Sequence, residues 1–371
     1  MNIDQVLTRA VDQVLPSKEG LKKLMQTKKI RLYLGIDPTA KGLHLGHTVP
    51  LRKLQQFADL GHEVILLFGT GTVLVGDPSG RDKGRTLITQ KEIDENIKTW
   101  KQQVSPIINF KKIKLKQNGD WLLKLKLKDI IKIASNISAI QLFKRDNFTK
   151  RLKAGDTVWY HETLYPLFQG YDSVVMDVDL EIGGTDQTFN MLVGRELQKK
   201  MNHHEKYVLA CKMIMGTDGQ QMSKTSNNCI WLTDSAEEMF GKLMAIRDEI
   251  MPDYWEFFTD KDMPKGDPLT VKKQLALEIT SQFHGIKKAS LAQTHFETTF
   301  QKKAPQFKDT IKQENNLIET IAQIVGSNSE AKRLISQKAV DINSQTVTDI
   351  NQSIKKGDRL KIGRKTFVTV I

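Results

Sequence analysis

Cysteine is almost missing from this chain: Cys211 and Cys229 are the only two in 371 residues, and neither stands in a CxxC or Cys/His cluster. A disulfide framework and a structural zinc site are thereby excluded, and both thiols are expected to be buried bystanders. Long apolar runs are missing too. None approaches the roughly 18 residues that a membrane-spanning helix needs. The opening MNIDQVLTRAVDQVL carries acids at helical spacing where a secretory leader has an uninterrupted apolar stretch, so no membrane partner and a cytoplasmic location are expected. Internal repeats and low-complexity tracts are also lacking.

What remains is a globular composition with a charge imbalance. Hydrophobic residues make up 39%, and 371 residues exceed what one core usually serves, so two or three domains are expected. The formal charge is +13, from 56 Lys+Arg against 43 Asp+Glu. Such a surplus attracts polyanions through phosphate contacts, and a large RNA is a natural partner. Charge alone does not decide the point, because many basic proteins bind no nucleic acid.

Apolar residues from Ile3 to Leu15 recur at helical spacing, which predicts a helix up to Pro16. IRLYLGI at 30–36 reads as a buried strand, HTVPLRKLQQFADLG as a helix ending at Gly61, and HEVILLFGTGT as a second strand. Strand, loop, helix, strand is the unit of a parallel sheet. Residues from about 85 to 160 interrupt it with a lysine-rich, largely helical stretch, in which KKIKLK and WLLKLKLKDIIKI read as a solvated amphipathic face rather than an RNA groove. The alternation resumes with SVVMDVDLEIGG as a strand candidate, DQTFNMLVGRELQKK as a helix and KYVLACKMI as a strand. From Ser235, which has capping-box spacing to Glu238, the period is helical with breaks at Pro252, Pro268 and Gly285. The final segment begins as a basic helix and finishes in short strands separated by Asn-Ser, Gly-Asp and Gly-Arg turns.

Two stretches carry chemistry. In LGIDPTAKGLHLGH a strand ends, a polar loop turns, and His44 and His47 bracket Gly46 at the opening of a helix. Helix N-termini offer unpaired N–H groups to phosphates, glycine admits a flat base or ribose, and imidazoles can donate to a charged transition state. In GQQMSKTSNN, Met222, Ser223, Lys224 and Thr225 follow the last predicted strand, and Lys224 could reach a pyrophosphate. Taken alone this second stretch is an exposed loop; its value lies in company.

The HLGH and MSKT pair resembles the HIGH and KMSKS signatures of class I aminoacyl-tRNA synthetases, in the expected order and with an insertion between them. YLGIDPTAKGLHLGH, VGDPSGR, YPLFQGYDS and IGGTDQTFNMLVGREL are similar to segments of the tyrosyl-tRNA synthetase family, bacterial type. In the tail, SEAKRLISQKAVDIN and GDRLKIGRKTFV resemble an RNA-binding domain of the ribosomal protein S-four type. The resemblance implies an α/β fold: a Rossmann-like doubly wound parallel sheet as catalytic domain over 1–230 with a helical insertion at about 85–160, a helical anticodon-side domain over 231–320, and a small C-terminal α/β RNA-binding module over 321–371.

It also implies roles. Tyr33 and Asp172 match the positions that hydrogen-bond a substrate phenol; Tyr165, Gln169 and Asp77 match those that hold its ammonium. Core packing is the alternative for the two tyrosines. Asp37 and Thr39 fall where the family contacts the amino acid and the ATP phosphates. Gly46, Gly184, Asp186, Met222, Ser223 and Thr225 match ATP-binding positions, and Gln187 the substrate carboxylate. The implied reaction joins L-tyrosine to ATP as tyrosyl-adenylate and then passes tyrosine to tRNA(Tyr). Since a carboxylate is already ionised, no general base or enzyme nucleophile is needed, and catalysis rests on His44, His47, Thr39, Lys224 and ATP-borne Mg²⁺. No dedicated protein metal site is expected. The family forms homodimers through the insertion, and the same is expected here.

One departure stands out: Gln221 occupies the position of the first lysine of KMSKS, leaving one cation fewer. Thr225 in place of the last serine keeps a hydroxyl. Three rival readings are a small-metabolite nucleotidyltransferase, which leaves the tail unexplained, a non-catalytic RNA-binding scaffold, which has no use for a tyrosine pocket, and tryptophan specificity, which the Tyr33 and Asp172 pair opposes.

Overall fold

The computed structural model describes residues 2–78, 88–143, 146–224, 226–301, 307, 309–363 and 366–371. Thr225, residues 79–81 of VGDPSGR and residues 364–365 of the tail motif lie outside the described residues. The chain divides into two compact units, Met1–Ala289 and Ser290–Ile371.

The first unit is built on six strands: β1 (Val11–Leu15), β2 (Arg31–Ile36), β3 (Glu63–Phe68), β4 (Ile113–Gln117), β5 (Leu180–Gly184) and β6 (Tyr207–Cys211). Their order is β1-β6-β5-β2-β3-β4, parallel throughout except for β1, which runs antiparallel to β6. β3 is buried along nearly its whole length and β2 at Leu32, Tyr33 and Leu34, as expected of apolar runs in a sheet covered on both faces. Each fully buried Leu or Ile in such a core contributes roughly 1.5–3 kcal/mol. Because the chain moves from β2 outward to β3 and β4, then returns to place β5 on the other side of β2, the strand order reverses between β2 and β5. A crevice opens at the carboxyl ends of strands at such a switch point, and ligands of open α/β sheets bind there.

Three segments differ from expectation. The predicted N-terminal helix is only Ile3–Val6; Val11–Leu15 is instead the edge strand β1, because pairing with β6 outweighs the helical spacing of its apolar residues. Within SVVMDVDLEIGG, Ser173 to Met176 end the helix Leu164–Met176, Asp177 takes a left-handed conformation, and only Leu180–Gly184 is strand. The stretch read as an insertion returns to the sheet, since Ile113–Gln117 pairs in parallel with β3. Its lysines Lys124, Lys126, Lys128 and Lys132 are all exposed, which suits a solvated face.

Beyond the sheet, Ser235 caps the helix Ala236–Met244 with Glu238 completing the capping box. Pro252 and Pro268 lie in the first turns of Met251–Phe258 and Pro268–His284, where a missing N–H costs nothing, and Gly285 closes the latter at φ +81°. These helices belong to the first unit.

The second unit packs helices Leu317–Val325 and Asn328–Ser336 on strands β7 (Asp309–Ile311), β8 (Val340–Ile342), β9 (Gln345–Thr346), β10 (Arg359–Ile362) and β11 (Thr366–Val370), in the order β7-β11-β10-β8-β9. Asn343 and Ser344, both at positive φ, form the predicted turn between β8 and β9. Leu317, Ile321, Ala331, Ile335, Val340 and Leu360 are its core.

Candidate active site

A cavity of about 250 Å³ lies at the switch point, walled by the ends of β2 and β5, the loop after β2, and the helices Leu45–Asp59 and Leu164–Met176. Tyr33, Asp37, Thr39, His47, Asp77, Tyr165, Gln169, Asp172, Gly184 and Gln187 all line it, so residues expected from widely separated stretches meet in one place.

Tyr33 is fully buried, and its hydroxyl is 3.0 Å from Ser173 Oγ. Burial pushes its phenol well above the ordinary tyrosine range, with the Glu181 and Asp172 carboxylates adding to the shift, so it stays protonated. Asp172 is also buried and accepts from Trp121 Nε1 at 2.8 Å and Asn118 Nδ2 at 3.0 Å. Burial raises its carboxyl well above the usual range, while those two donors pull the other way. Trp121 and Asn118 follow β4, so the strand that lies within the expected insertion delivers both partners of Asp172.

A second chain of bonds runs along the wall. Tyr165 donates to Asp37 Oδ2 at 3.0 Å, Thr72 donates to Asp37 Oδ1 at 2.8 Å, and Asn118 donates to Thr72 at 3.0 Å. Burial, reinforced by Asp37 and Asp77, holds the Tyr165 phenol well above its ordinary pKa. Gly69 makes room for this: a Cβ there would stand 1.9 Å from Asp37 Oδ1. Gln169 donates to Glu181 at 3.1 Å, which leaves its buried carbonyl oxygen without a partner among the described residues. Unpaired buried acceptors are costly, and a cationic donor in the cavity would satisfy this one.

Gln187 ties the next two acids together, donating to Asp77 at 2.8 Å and to Asp186 at 3.1 Å. Gly184 lets Asp186 fold back, since a Cβ at 184 would meet its Oδ1 at 2.5 Å.

The histidines sit at the mouth. His44 is the N-cap of Leu45–Asp59, and the two rings lie 3.9 Å apart between centroids. A Cβ on Gly46 would press the His44 ring at 3.0 Å. Burial, helped by the Lys224 charge, lowers His44 to about 4; burial, His44 and Lys224 push His47 well below the ordinary value. Both are therefore neutral at pH 7. His47 Nδ1 lies 3.2 Å from the His44 amide and 3.3 Å from the His44 carbonyl, so it accepts from the one or donates to the other according to its tautomer. The two rings expected to donate to developing charge are thus neutral imidazoles.

Lys224 arrives from 180 residues downstream of His44 through a defined route. Ile230 and Leu232 bond the backbone of Leu45 and Leu43 at 2.9 and 2.8 Å, clamping the chain after the MSKT stretch against the HLGH stretch. Within the loop, buried Asn228 accepts from the Ser223 amide at 2.9 Å and donates to Asp218 at 2.9 Å and the Gln221 carbonyl at 3.1 Å. Met222 is buried and Gln221 exposed. From the other side, helix Gln90–Val104 holds the loop of Thr39: Asn96 donates to the Pro38 carbonyl at 2.8 Å and Trp100 to that of Ala40 at 2.7 Å.

Among the described residues no group of three or more His, Cys, Asp or Glu is placed to hold a metal ion. Cys211 and Cys229 are buried free thiols.

Sequence reading misses Gly69, Thr72, Asn118, Trp121, Ser173, Glu181 and Lys206. An acid inside the otherwise apolar run LEIGG is the one available signal, and it points to Glu181.

Comparison with known proteins gives this geometry a family. The model for class I tRNA synthetases (W and Y) matches residues 25–301. The tyrosine–tRNA ligase of Thermotoga maritima is 40% identical over 99% of this chain and 96% of its own length, and that of Francisella tularensis 38% over 99% and 98%. Among solved structures, a C-terminally truncated mitochondrial tyrosyl-tRNA synthetase of Aspergillus nidulans superposes with a TM-score of 0.68 at 21% identity, covering 80% of this chain and 94% of that one. The Archaeoglobus fulgidus tyrosyl-tRNA synthetase complexed with L-tyrosine gives 0.62 at 20% identity, covering 79% and 100%. With near full-length identity to curated relatives and the fold of its structural neighbours, the chain belongs to the class I tRNA synthetases of the tryptophan and tyrosine group, and within that group to the tyrosyl-tRNA synthetases.

Proposed function

We infer that this protein is a tyrosine–tRNA ligase that activates L-tyrosine with ATP and transfers it to tRNA(Tyr). The observation that carries the reading is the single cavity with a buried phenol and carboxylate at one end, Asp77 and Gln169 along its wall, and His47 with Thr39 at its mouth. Tyr33 and Asp172 take the substrate hydroxyl as donor and acceptor. A substrate lacking that hydroxyl leaves both buried groups unpaired, which is why such sites reject phenylalanine. The size of the effect, about 10⁵ in tyrosyl enzymes, is a property established for that class and not a result of this geometry.

Gln169, Asp77 and Tyr165 hold the ammonium, and Asp37 supports Tyr165. The carboxylate, positioned with Gln187, attacks the α-phosphorus of ATP; the carboxylate–phosphorus bond forms as pyrophosphate leaves. Asp186 and Gly184 receive the ribose, with Gly46 beneath the nucleotide. Thr39, neutral His44 and His47, and Lys224 with Met222, Ser223 and Thr225 meet the phosphates, donating as charge develops. Magnesium enters as part of the ATP substrate, held by phosphate oxygens and water.

The unit Ser290–Ile371 is proposed to contact tRNA with exposed Lys332, Lys338, Lys355, Lys356 and Arg359, and the helices after Ser235 to serve the anticodon side. Exposed apolar side chains at Leu123, Leu127, Ile131 and Ile140, each more than half accessible, support a homodimer formed through the segment after β4. Light scattering tests this, and a monomer at working concentration would overturn it. Action in the cytoplasm fits a chain in which no described helix is long and apolar enough to cross a membrane.

The reading is tested by exchange of labelled pyrophosphate into ATP with tyrosine, phenylalanine or tryptophan. Tyrosine alone should support exchange; failure with every amino acid in folded protein would return the chain to an RNA-binding scaffold.

A further inference from the structure

Beneath Tyr33 lies a buried ion pair with no part in the chemistry above. Lys206 is fully buried and its ammonium is bonded to Glu181 Oε2 and, at 2.5 Å, to Ser173 Oγ. Glu181 is 1% exposed and also receives Gln169 at 3.1 Å. Buried charges are expensive unless paired and fully hydrogen-bonded, so such a pair is weak evidence for stability and calls for another role.

The packing around it is built to admit it. The helices Leu164–Met176 and Thr188–Asn202 cross at Gly170 and Gly194, where a Cβ on Gly194 would stand 2.6 Å from Lys206 Nζ and 3.0 Å from Ser173 Oγ. Only a glycine leaves the ammonium a path to Ser173.

The contacts then limit where the protons can go. An ammonium only donates, so Ser173 Oγ is an acceptor toward Lys206. The serine has one proton to give, and its remaining neighbours are Tyr33 Oη at 3.0 Å and Glu181 Oε2 at 3.4 Å. Either hydroxyl can donate across the 3.0 Å contact, and the order in which Ser173 donates to Tyr33 is the one that frees the Tyr33 proton for a substrate. Glu181 meanwhile is satisfied by Lys206 and Gln169.

We propose that Lys206, Glu181 and Ser173 form a positioning relay that fixes the direction of the hydrogen bond at Tyr33 and so sets specificity for a phenolic substrate. Lys206 donates to Ser173, Ser173 donates to Tyr33 Oη, and the Tyr33 proton is thereby turned toward the substrate oxygen, whose own hydrogen goes to Asp172. Each hydroxyl donates once, and the chain runs in one direction from a group that cannot accept to a carboxylate that, when ionised, cannot donate. Burial pulls the Lys206 ammonium below its ordinary pKa and Glu181 opposes that pull; through Gln169, Glu181 also joins the phenol end of the cavity to the ammonium end. The inference rests on the placement of the substrate phenol at Tyr33 and Asp172.

The test is tyrosine- and phenylalanine-dependent pyrophosphate exchange in the full-length protein carrying Ser173→Ala, with Tyr33→Phe beside it. Loss of one directed hydrogen bond should raise KM for tyrosine about tenfold and lower tyrosine over phenylalanine discrimination by a similar factor, with KM for ATP unchanged. The double variant Glu181→Gln/Lys206→Gln stays close in size but replaces a donor-only group with amides that face either way, and should give a smaller loss of the same kind. An unchanged tyrosine KM and discrimination in folded Ser173→Ala would overturn the relay. So would a parallel rise in both KM values with a lowered Tm, which marks a structural role. If Tyr33→Phe also leaves discrimination intact, the placement of the phenol itself fails, and the two failures are told apart.

Discussion

Tyr33, Asp172 and Glu181 at the closed end of the cavity are withdrawn from solvent, and they and their partners come from β2, β5, the segment after β4, the helix Leu164–Met176 and Lys206 just before β6. At the mouth, Thr39, Ser223 and Lys224 are half-buried, Gln221 is exposed, and the donors come from two short contiguous stretches clamped backbone to backbone. The closed end is a set of buried side chains bonded to one another. The open end relies on backbone, neutral imidazoles and one retained lysine. Recognition of a small rigid side chain needs the first arrangement, because selectivity comes from buried groups that a wrong substrate leaves unpaired. Stabilising charge that appears only during reaction needs the second, because donors must be present without binding the ground state tightly.

Substitutions that remove one end and spare the other test this division. Asp77→Ala takes away an acid assigned to the substrate ammonium and is expected to lower kcat/KM for tyrosine by about 10³, the weight of breaking a buried charge pair, with KM for ATP little changed. A larger change in ATP KM than in tyrosine KM would break the division. Lys224→Ala should slow activation by about 10² with tyrosine binding preserved, as for loss of one preorganised donor to developing charge. Stopped-flow rates of adenylate formation against tyrosine affinity separate the two.

The mouth also carries a pH signature. His44 titrates at about 4 when folded against an ordinary 6.5, so between those values the unfolded chain binds a proton that the folded chain refuses. Its contribution is fully present above pH 6.5 and is lost as pH falls toward 4. Between pH 7.5 and pH 5 this amounts to about 2 kcal/mol. Thermal melts of the wild type and His44→Asn should therefore converge as pH falls, and equal pH slopes would show that His44 is not held neutral. The smallest effect is expected at Gln221→Lys, which restores an exposed cation at the loop: activation should quicken only a few-fold, in keeping with the modest worth of exposed charges. An unchanged or slower rate would contradict the account of Gln221.

Much of the mouth is legible in the amino-acid sequence. His44, Gly46 and His47 are contiguous with a strand end and a helix start, so local pattern places them together, and the order of motifs singles out Lys224. The closed end is only half legible. Tyr33, Asp172 and Gln169 stand in recognisable stretches, but Asn118, Trp121, Ser173 and Lys206 occupy positions whose local spacing reads as loop, helix or strand. Lys206 reads as a flanking lysine of KYVLACKMI. The same limit explains β1, whose apolar residues fit a helix until β6 is beside them.

Hydrophobic period, capping and glycine placement act over a few residues. For that reason most of the elements, the helix start at His44 and the residues of the two signature loops follow from the order of amino acids alone. Other properties exist only once the chain has folded: which way each proton in the pocket points, the neutrality of both histidines, and the supply of Asp172's partners from the segment after β4. Burial and long-range contact set them, and they depend on residues far apart in the chain meeting in a dry interior.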